Sequence, residues 1–271
     1  MTTNNEHLLR ACSAAQASKR TWGDRSFFKN QSAACSKFAE AGVKSLAFAG
    51  DSFMRHIFQG FSITLSGDYK RGAVGKFAPE ICEFHNQFSE KYCSMNTVSP
   101  KILCDGSVEM ELGWADPQSY CKSDSKTVVF FSYGNHQING VHNRHTINNA
   151  QDYISLFEEQ NICDRVQTKP ANCEIYWVST HHRLRNGSQY PGVEETYERI
   201  EKYNIAMRNY FTSPRCNGIK YIDVYNLTKS LMDELPAWEA ELMAYDHAHW
   251  GMEVNLLKVQ IILNALFHAR A

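Results

Sequence analysis

The feature that most constrains the fold of this chain is an alternation. Short runs rich in apolar and β-branched residues recur, and most are followed by a stretch with helical spacing. Residues 44–49 are the first such run, followed by a helical stretch over 52–65. Thr127-Val128-Val129-Phe130-Phe131-Ser132-Tyr133 is another, with a helix near 150–161. Glu174-Ile175-Tyr176-Trp177-Val178-Ser179-Thr180 precedes a long helix over 193–212, and Ile219-Lys220-Tyr221-Ile222-Asp223-Val224 reads as a further strand. A strand is also expected at 108–113 and a helical stretch at 33–41. A closing helix over 252–267 carries Val254, Leu257, Ile261 and Leu266 on or near one face. Near-continuous apolar runs suit strands buried on both faces. Their alternation with helices implies an α/β fold with a mainly parallel central sheet covered on both sides. No linker and no internal repeat is visible, so one domain over 1–271 is expected, with the polar, cysteine-containing residues 1–40 packed on it. Residues 66–122 are the least regular part, glycine-rich at first and carrying four cysteines.

Three polar clusters follow strands: Asp51-Ser52, Asn135-His136 and His181-His182. Parallel strands would bring them to one edge of the sheet, where open α/β folds bind ligands. The first lies in Gly50-Asp51-Ser52-Phe53-Met54-Arg55, a turn from strand to helix that lifts a serine hydroxyl beside the helix N–H groups. Nearly two hundred residues later comes Asp246-His247-Ala248-His249-Trp250, just before the last helix. A serine nucleophile needs a histidine to take its proton and a carboxylate to orient that histidine. Ser52, His249 and Asp246 are therefore the expected catalytic triad, Asp246 and His249 being close enough in sequence to meet in one turn. The Ser52 backbone N–H and the Asn135 side-chain amide are the expected oxyanion donors, with Gly72 or Gly75 as a possible backbone source. The bland readings are a helix-capping Ser52, a turn asparagine at 135 and a solvated His249. Arg55, one turn after Ser52, either holds a substrate oxygen or ties down a nearby loop. His136, His181 and His182 are candidates for lining a substrate cleft, whereas His56, His247 and Trp250 read as structural.

Hydrophobic residues make up 43% and aromatics 12% of the 271 residues, enough for a sizeable core. With 28 basic and 29 acidic residues and no long charge run, nothing calls for a nucleic acid or an anionic membrane surface as partner. No apolar run has transmembrane length. None of the nine cysteines forms a Cys-x-x-Cys pair, which argues against a zinc site or a thioredoxin-like redox motif. Proximity in sequence suggests Cys12–Cys35, Cys82–Cys93, Cys104–Cys121 and Cys163–Cys173, with Cys216 left over, although spacing does not determine connectivity. Asn30, Asn186 and Asn226 each open an Asn-x-Ser/Thr sequence. These features favour an oxidising, secretory setting; a cytoplasmic protein with buried free thiols is the alternative. Met1-Thr2-Thr3-Asn4-Asn5-Glu6-His7 lacks the apolar core of a signal peptide, so a luminal protein would need a targeting segment absent from this chain.

The motifs resemble those of the SGNH/GDSL hydrolase superfamily, and more closely its PC-esterase branch, which includes trichome-birefringence-like polysaccharide O-acetyltransferases and sialic-acid O-acetyltransferases. Gly50-Asp51-Ser52-x-x-Arg55 is similar to the branch's first motif, and Asp246-x-x-His249-Trp250 to its last. Cys12, Trp22 and Cys35 resemble the segment that precedes the serine there. Ser179-Thr180-His181-His182, and Ile222-Asp223-Val224 with Leu227, fall in the expected order. The resemblance spans roughly residues 12–267. It implies a three-layer α/β/α (flavodoxin-like) fold, Ser52 as nucleophile, His249 as base, Asp246 as its orienter, and no cofactor beyond an acetyl donor. The last motif, Asp246-His247-Ala248-His249-Trp250, lacks the cysteine of the plant proteins.

The leading expectation is O-acetyl transfer to a carbohydrate hydroxyl, in the Golgi lumen or secreted; the close alternative is a carbohydrate O-acetylesterase with the same triad. A metallophosphoesterase is a weaker reading, because Gln137 follows Gly134-Asn135-His136 where that class has a carboxylate. A glycan-binding domain without turnover is the remaining class. The sugar, the acyl donor and the oligomeric state are not legible.

Overall fold

A computed structural model describes residues 31–133, 150–183, 197–244, 246 and 248–267. In chain order the main elements are α1 (Gln31–Glu40), β1 (Val43–Gly50), α2 (Ser52–Ser66), β2 (Lys101–Leu103), β3 (Val108–Gly113), β4 (Lys126–Ser132), α3 (Ala150–Glu159), α4 (Ile162–Gln167), β5 (Cys173–Val178), α5 (Tyr197–Phe211), β6 (Ile219–Ile222), α6 (Tyr225–Glu234), α7 (Ala237–Leu242) and α8 (Met252–Phe267). The strands form one sheet in the order β2-β3-β1-β4-β5-β6. Every pairing is parallel except β2 with β3 at one edge.

Strand periodicity sorts the core into two layers. Leu46 and Phe48 of β1, Val128 and Phe130 of β4, and Tyr176 and Val178 of β5 face α1, α2, α6 and α8. Their neighbours Ala47, Ala49, Val129, Phe131, Ile175 and Trp177 face α3, α4 and α5. This is the α/β/α sandwich expected from the apolar runs, and it aligns the C-terminal ends of β1, β4 and β5. The α2 helix lies between the sheet and α8, and twelve of its fifteen residues are buried. Gly60 permits the close approach, since a Cβ there would stand 2.9 Å from Val259 Cγ2.

Several boundaries move. β5 ends at Val178 and β6 at Ile222, earlier than the apolar pattern suggests. The Ser179 hydroxyl instead accepts the N–H groups of Val224 and Tyr225, at 2.8 and 2.9 Å, and so anchors the start of α6. The short β2, α4, α6 and α7 were not expected from periodicity; three to ten residues leave too few repeats for a clear pattern.

The cysteine pairing differs from the order of proximity in sequence. The bonds are Cys35–Cys104, Cys82–Cys93, Cys121–Cys173 and Cys163–Cys216. Only Cys82–Cys93 joins the expected partners, and Cys216 is not left over. Cys173 opens β5, where it stands in register with Thr127 of β4, so the cysteine in the segment entering β4 reaches it. Cys163 in α4 packs on the turn that carries Cys216. Cys12 and Trp22 lie outside the described residues, as do Asn30 and Asn186. Asn226 sits in the first turn of α6 with its amide on Asp223 at 2.6 Å, and Thr228 of the same triplet is fully buried, so this sequence is not presented as an open glycosylation site.

Candidate active site

The site begins with a backbone requirement. Gly50 ends β1 at φ +149°, and a Cβ there would lie 1.8 Å from the carbonyl oxygen of Ser132 in β4. Only glycine lets the chain leave the sheet so close to its neighbour. Gly50→Ala is expected to cost about 3 kcal/mol or more, the scale of a forced backbone displacement. An unchanged urea midpoint would show that the strand end moves freely.

Asp51 then caps α2. Its Oδ1 accepts the Phe53 N–H at 3.0 Å, and the carboxylate is almost wholly buried. Ser52 is thus the first helical residue and not the cap, so its hydroxyl is spared for another partner. That partner is His249, whose Nε2 lies 2.8 Å from Ser52 Oγ. Both carboxylate oxygens of Asp246 stand 2.9 Å from His249 Nδ1. A carboxylate on Nδ1 fixes the N–H there and leaves Nε2 bare to accept from Ser52. Asp246 Oδ1 also accepts the N–H groups of Ala248 and His249, each at 2.8 Å. Burial pushes the Asp246 carboxyl up, but the His249 bond and charge and these two amides outweigh it, holding it at about 2.

The turn bearing Asp246 and His249 is closed by a bridge between Ala244 and Trp250, and by Gly251 N–H on Met243 O at 2.7 Å. Trp250, fully buried, donates its indole N–H to His182 O at 2.8 Å. His181 is also fully buried, and its Nε2 lies 2.6 Å from Ala248 O. His182 turns its Nδ1 to Arg183 O at 2.7 Å, and its ring packs tilted against that of Tyr225. Neither histidine therefore opens to a cleft as the strand-end pattern suggested; both support the turn from behind. The physical reason is that β5 is an inner strand, so the residues just past its end remain under α6 and the 246–251 turn. Asn135, His136 and His247 lie outside the described residues. Gly72 and Gly75 spend their amides on Asp68 O and Asn96 O, at 2.8 and 2.9 Å, so neither is a spare donor.

Of its two readings, Arg55 follows the second. It pairs with Glu90, which comes from the irregular segment between α2 and β2. The same carboxylate takes His56 Nε2 at 2.7 Å, and the His56 ring lies 5.0 Å from that of His249. Burial pushes His56 down to about 4, against the opposing pull of Glu90. Glu90 is pushed up by burial but more strongly down by its bonds to His56 and Arg55, and ends well below the carboxylate range. His56 shares the face of Ser52 by its i+4 spacing. Glu90 carries no sequence signal, since no regular element precedes it.

A pH effect follows. Between pH 6.5 and about 4 an unfolded His56 takes a proton that the buried ring refuses, so acidification favours unfolding. Over that window the loss is roughly 3 kcal/mol, at about 1.4 kcal/mol per unit. Glu90, its folded value depressed, continues the loss below about pH 4.5. The unfolding midpoint of His56→Gln, which keeps a donor to Glu90, is expected to fall less steeply across this range than that of the wild type; parallel slopes would refute the assignment.

Among the described residues no group of three His, Cys, Asp or Glu side chains is placed to hold a metal ion. No helix among them is long and apolar enough to cross a membrane. No family model and no curated protein matches the chain. A solved structure it is similar to is that of a "putative GDSL-like lipase" from Parabacteroides merdae ATCC 43184, with 11% identity and a TM-score of 0.46, covering 82% of this chain and 94% of that one.

Proposed function

We propose that the protein is a serine-dependent acyltransferase that moves an acetyl group to a carbohydrate hydroxyl through an ester on Ser52. The observation that carries the serine chemistry is the continuous contact from Ser52 Oγ through the His249 ring to Asp246, between groups 197 residues apart in the chain. The carbohydrate acceptor and the acetyl group rest on the Gly-Asp-Ser-x-x-Arg and Asp-x-x-His-Trp motifs.

In the first half-reaction Ser52 Oγ attacks the donor's acyl carbonyl while His249 Nε2 takes the hydroxyl proton. Asp246 stabilises the imidazolium that forms. The oxyanion is expected at the start of α2, where the Ser52 N–H belongs to the first-turn amides without an intrahelical acceptor; the Asn135 amide is the proposed second donor. The tetrahedral centre collapses, and the leaving group departs with the proton from His249. A sugar hydroxyl then gives its proton to His249 and attacks the acyl carbon. Ser52 Oγ leaves and recovers the proton. Water in place of the sugar yields acetate, so an esterase is the close alternative with the same residues.

Four disulfides are compatible with a secreted or luminal protein; a Golgi lumen is the proposed compartment, since polysaccharide acetylation would take place there. The reading is tested with a chromogenic acetyl ester, with and without excess neutral oligosaccharide, following acetate and acetylated sugar by mass. Acetylated sugar formed by the wild type and not by Ser52→Ala supports transfer. Acetate alone, again lost in Ser52→Ala, supports the esterase. Turnover that survives Ser52→Ala refutes both.

A further inference from the structure

The last helix buries a lysine directly behind the proposed catalytic turn. Lys258 of α8 is 0% exposed, and no carboxylate reaches it among the described residues. An amine taken wholly out of water without a counter-ion is costly when charged, so such a group calls for an explanation. Its contacts supply one. Lys258 Nζ lies 3.2 Å from His181 Nδ1 and 3.0 Å from Asn255 Oδ1. His181 Nε2 faces the Ala248 carbonyl, so its proton sits on Nε2 and Nδ1 must accept. Asn255 gives its amide protons to Trp250 O at 2.6 Å and Gly251 O at 2.9 Å, so its oxygen must accept. Both neighbours of Lys258 thus demand a donor. A neutral amine has two N–H groups for these two acceptors, and burial pushes Lys258 well below its usual range. His181 is likewise pushed well down, chiefly by its own burial. Among the described residues no acidic side chain draws a proton onto His181 or Lys258.

We propose that Lys258 is a positioning residue for the Asp246–His249 turn: it fixes the tautomer of His181 and the amide orientation of Asn255, and through them holds the carbonyls of Ala248, Trp250 and Gly251. Three of the four carbonyls from 248 to 251 are thereby pinned, on either side of His249. The inference rests on the reading of Ser52 and His249 as the reacting pair. Its physical content is that a buried donor on α8, not the turn's own sequence, sets where the His249 ring stands relative to Ser52.

The test uses Lys258→Met, which keeps an unbranched side chain in the cavity and removes both donors. Its kcat on the acetyl ester is expected to fall about tenfold to a hundredfold, as for a small misplacement of a reacting group, with KM within about twofold. Thermal stability is expected to fall modestly, because His181 Nδ1 and Asn255 Oδ1 lose their buried donor, a cost partly offset by removal of the buried amine. His181→Phe should also lower kcat, and the double variant less than the product of the two losses, since they share the contact between Lys258 and His181. An unchanged kcat, a fall in kcat no larger than the fraction of protein unfolded at the assay temperature, or multiplying effects would overturn the proposal. The low-field imidazole N–H resonance of His249 reports its contact with Asp246 whether or not any ester is turned over. Its loss in folded Lys258→Met supports the positioning role even if the acyl-transfer reading fails, and its persistence unchanged refutes it.

Discussion

Ser52→Ala is expected to lower the kcat for ester cleavage by about a millionfold, the loss seen when a serine nucleophile is removed from a working triad. The fold should survive it. Asp51, and not Ser52, caps α2, and the Ser52 side chain packs no core layer. The unfolding midpoint should therefore shift little while turnover vanishes. A residual rate over water of about a thousandfold would remain from binding and oxyanion contacts. A mass shift matching an acyl group on wild-type protein, absent in Ser52→Ala, is the direct check. A Ser52→Ala protein that retains turnover within tenfold of wild type would remove Ser52 from the chemistry.

Asp246→Asn is expected to lower kcat by about ten-thousandfold. The asparagine can keep the N–H contacts to Ala248 and His249 through its oxygen, so the turn stays formed. What changes is the ring. Both carboxylate oxygens meet His249 Nδ1, and replacing one by an N–H donor favours the tautomer with the proton on Nε2, which can no longer accept from Ser52. The imidazolium formed during attack also loses its counter-charge. Because the Asp246 carboxyl is held at about 2, it stays ionised down to strongly acid conditions. The acid limb of the wild-type pH–rate profile should therefore lie well above pH 2, and Asp246→Asn should depress the rate across the whole profile instead of shifting one limb. A loss confined to low pH would argue against this role.

The disulfides show where local reasoning stops. Proximity in sequence recovered Cys82–Cys93, which closes a short turn, and missed the three bonds that join elements separated by a layer or a strand crossing. Arg55 was visible as a residue one turn after Ser52 and His56 as a structural histidine, but their shared partner was not. Glu90 comes from an irregular segment with no periodicity to place it. His181 and His182 were legible as strand-end residues and misjudged as cleft residues, because burial at the end of an inner strand depends on what packs over it.

The sequence by itself determined the layered α/β arrangement and singled out the candidate serine, histidine and carboxylate. Continuous apolar runs need cover on both faces, helices between them supply it, and parallel strands place Gly50-Asp51-Ser52 at the sheet's C-terminal edge. The spacing within Asp246-Ala248-His249 lets one carboxylate bond two amides and a ring, which is local chemistry. Only the tertiary structure decided that these two segments meet at 2.8 Å, and that Glu90, His181, Asn255 and Lys258 stand behind them. Hydrogen bonds between residues far apart in the chain depend on the packing angle of α8 against α2 and the sheet. That angle is set by the summed fit of many side chains, such as Val259 in the gap at Gly60, and by no single motif.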